Sequence, residues 1–183
     1  MKPGRIKLKP LVCTIGHSTH SLDAFIELLK TNQVHHVVDV RTVPRSRHNP
    51  QFNTDSLPAS LRGVGIDYTH MPGLGGLRHT HAGSINEGWR NTSFRGYADY
   101  MQTLEFSENV EQVARLADHE CCVLMCAEVV PWRCHRSLIA DALTVRGVRV
   151  EDIIGGKGRK LHVLTPWAYV DGLKITYPPE AAE

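Results

Sequence analysis

Apolar and polar positions along the chain switch between a period of two and a period near 3.6, and the switches divide it into strands and helices. Residues 11–17, LVCTIGH, form a β-branched apolar run that stops at Gly16-His17-Ser18 and predicts a first strand. Leu22, Phe25, Ile26 and Leu29 then fall on one helix face, with Ser21 placed as its N-cap and Asp23 in the dipole-favoured first turn. Residues 35–41, HHVVDVR, predict a second strand that ends in Asp39 and Arg41. Strand, helix and strand in this order make a βαβ unit, so the two strands are expected to be parallel and to form the first pair of the sheet.

The middle of the chain is less regular. VPRSRHNPQF reads as a polar loop, and residues 53–62 suit a short helix on Leu57 and Leu61, with Pro58 tolerable only in its first turn. IDYTHMP predicts a third strand. Residues 73–95 show no usable period; a loop of that length is usually functional or mobile, and this one is a candidate lid whose wall would come from Arg78, His79, His81 or Trp89. Tyr97, Tyr100, Met101 and Leu104 restore a helical pattern, and Val110, Val113, Ala114 and Ala117 predict a second helix.

Residues 121–127, CCVLMCA, are apolar on both alternating faces, as in a central strand covered on both sides. Leu138, Ile139, Ala142 and Leu143 mark the core face of another helix, and VRVEDI (148–153) fits a further parallel strand. After a turn at GGKGRK, Thr165-Pro166 predicts a helix start, and LKITYP is expected to close the sheet as an edge strand. Neither repeat nor linker interrupts the pattern. The expectation is one α/β domain over residues 1–183: a mostly parallel twisted sheet with helices on both faces, a Rossmann-like three-layer sandwich, preceded by a basic tail at residues 1–10.

Composition narrows the class. Apolar residues at 42% and charged residues at 22% are ordinary for a globular protein, and a chain of 183 residues can bury roughly 70% of its unfolded surface without staples. The apolar runs fall far short of the ~20 residues a membrane span needs, so no membrane partner is expected. The opening MKPGRIKLKP lacks the apolar core of a secretory signal, leaving a solvated tail or an organellar presequence. Five cysteines, an odd number without framework spacing, indicate reduced thiols in a cytosolic setting. A net charge of +2 does not by itself call for a polyanion partner. The eleven histidines make no standard metal-ligand pair, so no metal ligands are assigned and no cofactor is expected.

Ligands of parallel sheets bind beyond the carboxyl ends of the strands. Three such ends carry polar chemistry: Gly16-His17-Ser18, then Asp39 and Arg41 with Arg45 and Ser46, then Cys126 and Glu128 with Arg133, Cys134, His135 and Arg136. Cys126, Glu128, Cys134 and His135 are the candidate catalytic residues. Gly16, His17, Ser18, Asp39, Arg41, Arg45, Ser46, Arg133 and Arg136 are the candidate substrate-binding set. Free helix N–H groups near Cys134, with the two arginines, would favour a thiolate or a bound anion. Cys126 is the better nucleophile because a strand end holds it; Cys134 is its rival. Glu128 could move protons if buried, and His135 could act as a base.

Plainer roles stay open at each position. Cys13, Cys121 and Cys122 read as inert core thiols, and Cys126 stands evenly between packing and chemistry. Glu128 could simply pair with Arg136, His17 could order the first loop, and Asp39 could cap a turn or hold Arg41.

TIGHS, DVRTVPRS, GIDYTHMPGLGG and LMCAEVVPWRCHRSLIA, in this order, span residues 12 to 154 with their flanks. Together they resemble the bacterial and archaeal proteins grouped as domain of unknown function 488. The resemblance implies a single α/β domain and marks Gly16, His17, Ser18, Asp39, Arg41, Pro44, Ser46, Cys126, Glu128, Cys134, His135 and Arg136 as signature positions. Glu151-Asp152 stands where that family tends to show a histidine, so no role carries over to that end of the sheet.

Three functions compete. The first is an enzyme, a cysteine-dependent hydrolase or transferase, acting on an anionic small molecule or nucleotide-like substrate. Its logic is that of phosphatase and sulfurtransferase loops, although Arg133 and Arg136 stand farther from Cys126 than a phosphatase arginine would. The second is a nucleic-acid-associated protein using a rim of Arg41, Arg45, Arg47, Arg62, Arg78, Arg90 and Arg95, with Tyr68, Trp89 and Phe94 for stacking. The third is a metal or redox site on Cys126, Cys134 and His135. GLGG and GGKGRK fit neither the dinucleotide nor the Walker fingerprint and read as backbone flexibility.

Overall fold

A computed structural model describes residues 10–156 and 158–180, and in it the apolar runs become the strands of one sheet. In chain order the elements are β1 (Leu11–Gly16), α1 (Leu22–Thr31), β2 (His36–Asp39), α2 (Leu57–Arg62), β3 (Asp67–His70), α3 (Thr92–Tyr100), α4 (Leu104–Ala117), β4 (Cys122–Cys126), α5 (Arg136–Val145), β5 (Arg149–Ile153), β6 (Arg159–Leu161), β7 (Tyr169–Asp171) and β8 (Lys174–Thr176). The main sheet runs β3-β2-β4-β1-β5-β6, its first five strands parallel and β6 antiparallel at the edge. The described residues form a single mixed α/β domain with a mostly parallel sheet and five helices. Apart from Pro10, the basic tail lies outside the described residues, as does Lys157 of the GGKGRK turn.

Alternating strand positions feed two cores. Cys13, Ile15, Val37, Val123 and Met125 pack with Phe25 and Leu29 of α1 and Leu57 and Leu61 of α2. Val12, Val38, Cys122, Leu124 and Val150 pack with Tyr97 of α3, Val110 and Val113 of α4, and Leu138 and Ile139 of α5. Ser21 caps α1 as expected, its hydroxyl accepting the Ala24 N–H at 3.2 Å, and Pro58 sits in the first turn of α2.

Four expectations are corrected. First, β1 and β2 are parallel but not neighbours. β4 lies between them, pairing Gly16 with Cys126 on one side and Asp39 with Met125 on the other. A strand buried from Cys122 through Met125 gains most from a central place, and a βαβ pattern constrains direction more firmly than adjacency.

Second, the Tyr97–Leu104 stripe spans two helices. Asn91 caps α3, accepting from Ser93 and Phe94, so α3 begins before Tyr97; Thr103 caps α4 at exposed Leu104. Third, Thr165-Pro166 starts no helix: Asp141 Oδ1 accepts the Thr165 N–H at 3.1 Å, and the chain turns into the β7–β8 hairpin. Fourth, LKITYP supplies β8 of that hairpin instead of closing the main sheet. The hairpin is anchored by buried Ile175 and Tyr177, whose hydroxyl donates to Asp141 Oδ2 at 2.8 Å. The edge place goes to β6, whose exposed residues give no apolar signal.

The 73–95 segment is fastened to α3. Tyr97 and Tyr100 donate to the Leu74 and Gly73 carbonyls at 2.9 and 2.6 Å, and the Arg78 guanidinium lies 3.5 Å over the Tyr100 ring. Asp99 accepts from Thr80, Ser84 and Asn86. Burial disfavours its charge, but those three bonds outweigh it and hold the carboxyl below its ordinary range.

Candidate functional site

The strand order brings three loops to one place. His17 N–H donates to the Cys126 carbonyl at 2.9 Å and Ser18 N–H to Ala127 at 3.0 Å, carrying the β1–β4 ladder into the loops; Val40 N–H does the same toward Met125. Gly16 permits this closeness, since a Cβ there would lie 2.0 Å from the Glu128 carbonyl oxygen. Ser18 holds a positive φ of 47°, uncommon outside glycine. Beyond these ends opens a cleft of about 600 Å³ lined by His17, Ser18, Thr19, Arg41, Thr42, Val43, Arg45, Ser46, Asn49, Gly76, Leu77, Cys126, Ala127 and His135.

Two sulfurs occupy its floor. Half-buried Cys126 lines the cleft, while Cys134, 4% exposed, lies behind it. The Cys126 and Cys134 sulfurs and a His135 ring nitrogen all fall within 4.8 Å of one another. His135 donates its Nε2–H to the Val40 carbonyl at 3.0 Å, leaving Nδ1 facing the Cys134 sulfur at 3.6 Å. The Tyr97 ring packs against it, and a Cβ on Gly76 would lie 2.5 Å from its Nδ1.

Arg136 is fully buried beside this pair. Its Nε donates to the Cys134 sulfur at 3.4 Å, its Nη2 donates to the Glu128 backbone carbonyl, and its Nη1 has no partner. Among the described residues no carboxylate pairs with it. The Cys134 thiol is pushed well below its ordinary value: Cys126 leaves it the ionised member of the pair, and the contact with His135 and the charge of Arg136 act the same way, against the opposing effect of burial. Cys126 is pushed up, first because it holds the proton shared with Cys134 and then by burial.

A second network stiffens the opposite wall. Arg41 donates from Nε to Asp39 Oδ1 at 2.8 Å, from Nη2 to Asp39 Oδ2 at 2.5 Å and to the Phe52 carbonyl at 2.7 Å. The Tyr68 hydroxyl also donates to Asp39 Oδ2, at 2.7 Å. His17 donates Nδ1–H to the Ser18 carbonyl at 2.9 Å, so its Nε2 accepts from Arg41 Nη1 at 3.3 Å. Burial lowers the His17 pKa to about 4, with Arg41 acting in the same direction.

His17, Ser18, Arg41, Arg45, Ser46, Cys126 and His135 therefore meet at the cleft, with Gly16, Asp39, Cys134 and Arg136 supporting it from behind. Asp39 holds Arg41, and His17 orders the first loop. Two candidates stand apart. Glu128 is exposed and accepts the Val130 N–H at 2.9 Å, so it is neither a buried acid nor a carboxylate partner of Arg136. Arg133 is exposed on the turn Pro131–Arg133, outside the lining.

Thr19, Thr42, Val43, Asn49, Gly76, Leu77 and Ala127 escaped the sequence reading. The missed signal was GLGG. Gly75 and Gly76 serve close packing instead of flexibility, since their Cβ atoms would meet Thr42 and His135 at 2.4 and 2.5 Å. Arg78, His79, His81 and Trp89 form no wall of the cleft. The arginine rim is divided as well: Arg41 and Tyr68 are engaged with Asp39, Arg78 lies on Tyr100, and Arg95 donates to the Trp89 carbonyl. Trp89 and Phe94 pack on each other, and Trp89 also on Trp167 and Tyr177.

Cys126, Cys134 and His135 offer three donors, but a cation there would share a sulfur with the Arg136 guanidinium, a poor fit to a metal. His36, Asp67 and Glu120 form another compact grouping at the amino ends of β2, β3 and β4, away from the cleft.

Fold and site together define an α/β domain with a thiol–guanidinium cleft at the carboxyl ends of its strands. The chain belongs to the family described as domain of unknown function DUF488, whose model matches residues 21–143. That span holds Asp39, Arg41, Cys126, Cys134, His135 and Arg136 and begins after β1. No curated protein and no solved structure is significantly similar to the chain. Among the described residues no helix is long and apolar enough to cross a membrane.

Proposed function

We propose that this protein is a thiol-dependent enzyme, a hydrolase or transferase, acting on an anionic small molecule or nucleotide-like substrate with Cys126 as nucleophile. One observation carries it: a buried guanidinium without a carboxylate faces a sulfur pair whose outer member lines a cleft. As Cys126 attacks, its proton passes to the Cys134 thiolate, to which Arg136 donates. Arg45 at the rim and the hydroxyls of Ser18 and Ser46 are the groups available to an anion, and a volume near 600 Å³ suits a small ligand. In the Rossmann-like three-layer sandwich that we infer, α1 leaves β1 for one face and α5 leaves β4 for the other, which supports a binding crevice between those strands. Five unpaired thiols go with a cytosolic setting. No observation favours the nucleic-acid role.

Residue-resolved alkylation of the native protein by iodoacetamide across pH tests the proposal. Cys126 is expected to react with a midpoint well below the ~8.5 of a free thiol, following the first ionisation of the pair. If Cys126 and Cys134 both stay inert until unfolding, the nucleophile assignment is wrong.

A further inference from the structure

Resting on that thiol assignment, we propose that Cys126 and Cys134 are a redox couple that closes a reversible intramolecular disulfide on reaction with an anionic low-molecular-weight disulfide. The geometry supplies each part. The outer sulfur lines the cleft and is open to a substrate; the inner sulfur is 4% exposed and lies within 4.8 Å of it. An outer thiol meets the substrate, and an inner thiol protected from solvent resolves the mixed disulfide. His135 faces the inner sulfur with Nδ1 while its Nε2–H is fixed on Val40, so the ring can accept a proton at the atom that points to Cys134.

The steps balance. The Cys126 sulfur attacks one sulfur of a disulfide RSSR, the first RS⁻ leaves, and the Cys126 proton moves to Cys134. His135 Nδ1 takes that proton, Cys134 attacks the Cys126 sulfur, and the second RS⁻ leaves, collecting the proton from the imidazolium. One RSSR and the singly protonated sulfur pair thus become a protein disulfide, one thiol and one thiolate, with two electrons passing from the pair to the substrate. The anionic class follows from the surroundings. Arg45 is exposed at the cleft rim, where its one acidic partner among the described residues is a solvent-exposed Asp55 at 3.4 Å; Arg136 lies beneath, and no carboxylate is among the lining residues.

Cys13 and Cys121 make a useful contrast. They also shift each other's ionisation, but Cys13 is fully buried, accepts from Arg159 Nη1 at 3.6 Å, and among the described residues has no histidine hydrogen-bonded to its sulfur.

The native protein should be treated with oxidised glutathione, an anionic disulfide, and in parallel with cystamine, a cationic one, followed by acid quench and peptide mapping. The expected product is lighter by two hydrogens and carries a Cys126–Cys134 linkage. At low salt it should form roughly tenfold faster with oxidised glutathione than with cystamine, and the preference should shrink in Arg45→Gln. Cys134→Ser should accumulate a glutathione adduct on Cys126. A wild-type adduct on Cys126 that never closes overturns the couple while leaving the nucleophile in place; inert Cys126 removes both. A linkage at Cys13–Cys121 alone overturns the assignment of the pair, and equal rates with the two probes overturn the anionic class.

Discussion

Acidification should remove about 3 kcal/mol of stability through His17 alone. The side chain is 2% exposed, stacks on Phe52 at 4.3 Å and accepts from Arg41 at Nε2, so a second proton would place two cations in contact inside the fold. Its folded pKa is about 4, against ~6.5 in the unfolded chain. Between those values the unfolded chain binds a proton that the folded chain refuses, so stability rises with pH through this window. The contribution is complete above ~6.5 and is lost as pH falls to about 4, with a slope of at most ~1.4 kcal/mol per pH unit. The span of the window sets the total at roughly 3 kcal/mol.

Urea unfolding of the wild type and His17→Asn at several pH values isolates the effect. Asn keeps a donor for the Ser18 carbonyl but cannot titrate, and the carboxylates titrate in both proteins. The wild type should lose about 3 kcal/mol more than the variant on going from neutrality to pH ~4. Parallel curves would show that His17 accepts its proton in the folded state and that Arg41 does not depend on its lone pair.

Asp39→Asn removes the carboxylate from a buried guanidinium and should cost about 3–5 kcal/mol in chemical denaturation; unchanged stability would return Asp39 to a purely ligand-binding role. Gly76→Ala would set a Cβ 2.5 Å from His135 Nδ1 and turn the ring off the Val40 carbonyl. About 1–3 kcal/mol should be lost to overpacking, and the Cys126 alkylation midpoint should rise. A midpoint that stays put would mean the placing of His135 has no bearing on the sulfur pair.

Features that depend on neighbours in sequence were legible. Ser21 at the start of α1, the β-branched apolar run of β1 and the doubly apolar run of β4 are local signals, and signals of this kind located most of the strands, though not their order. The three polar strand ends were legible for a geometric reason: in a parallel sheet every strand end lies on the same side, so residues remote in the chain become neighbours without their order being known. That is why His17, Arg41 and Cys126 could be grouped. What escaped was set by contacts across the fold. Gly75 and Gly76 look like flexible glycines until Thr42 and His135 are found where their side chains would be. Thr165-Pro166 has a helix-start sequence, but Asp141 takes its N–H and the hairpin takes the chain. Glu128 sits in the densest cluster of reactive residues yet turns outward, because one residue along a loop is enough to reverse a side chain.

The order of the strands also explains why the chemistry is concentrated on one pair of sulfurs. With β4 between β1 and β2, Cys126 ends the middle strand, under His17 from one neighbour and Arg41 from the other. Since the helix after β4 leaves toward the α3–α4 face, its first residue, Arg136, is drawn into the core directly behind the sulfur pair. A buried cation needs an anion or a full set of acceptors. Asp39 already serves Arg41, and Glu128 faces solvent, so among the described residues the acidic group that meets Arg136 is the Cys134 thiol. Ionising that thiol satisfies the cation and, in the same step, creates a base beside Cys126. Folding and reactivity are thereby coupled through one proton: the charge that makes Arg136 tolerable in the core is the charge that readies the outer thiol for attack.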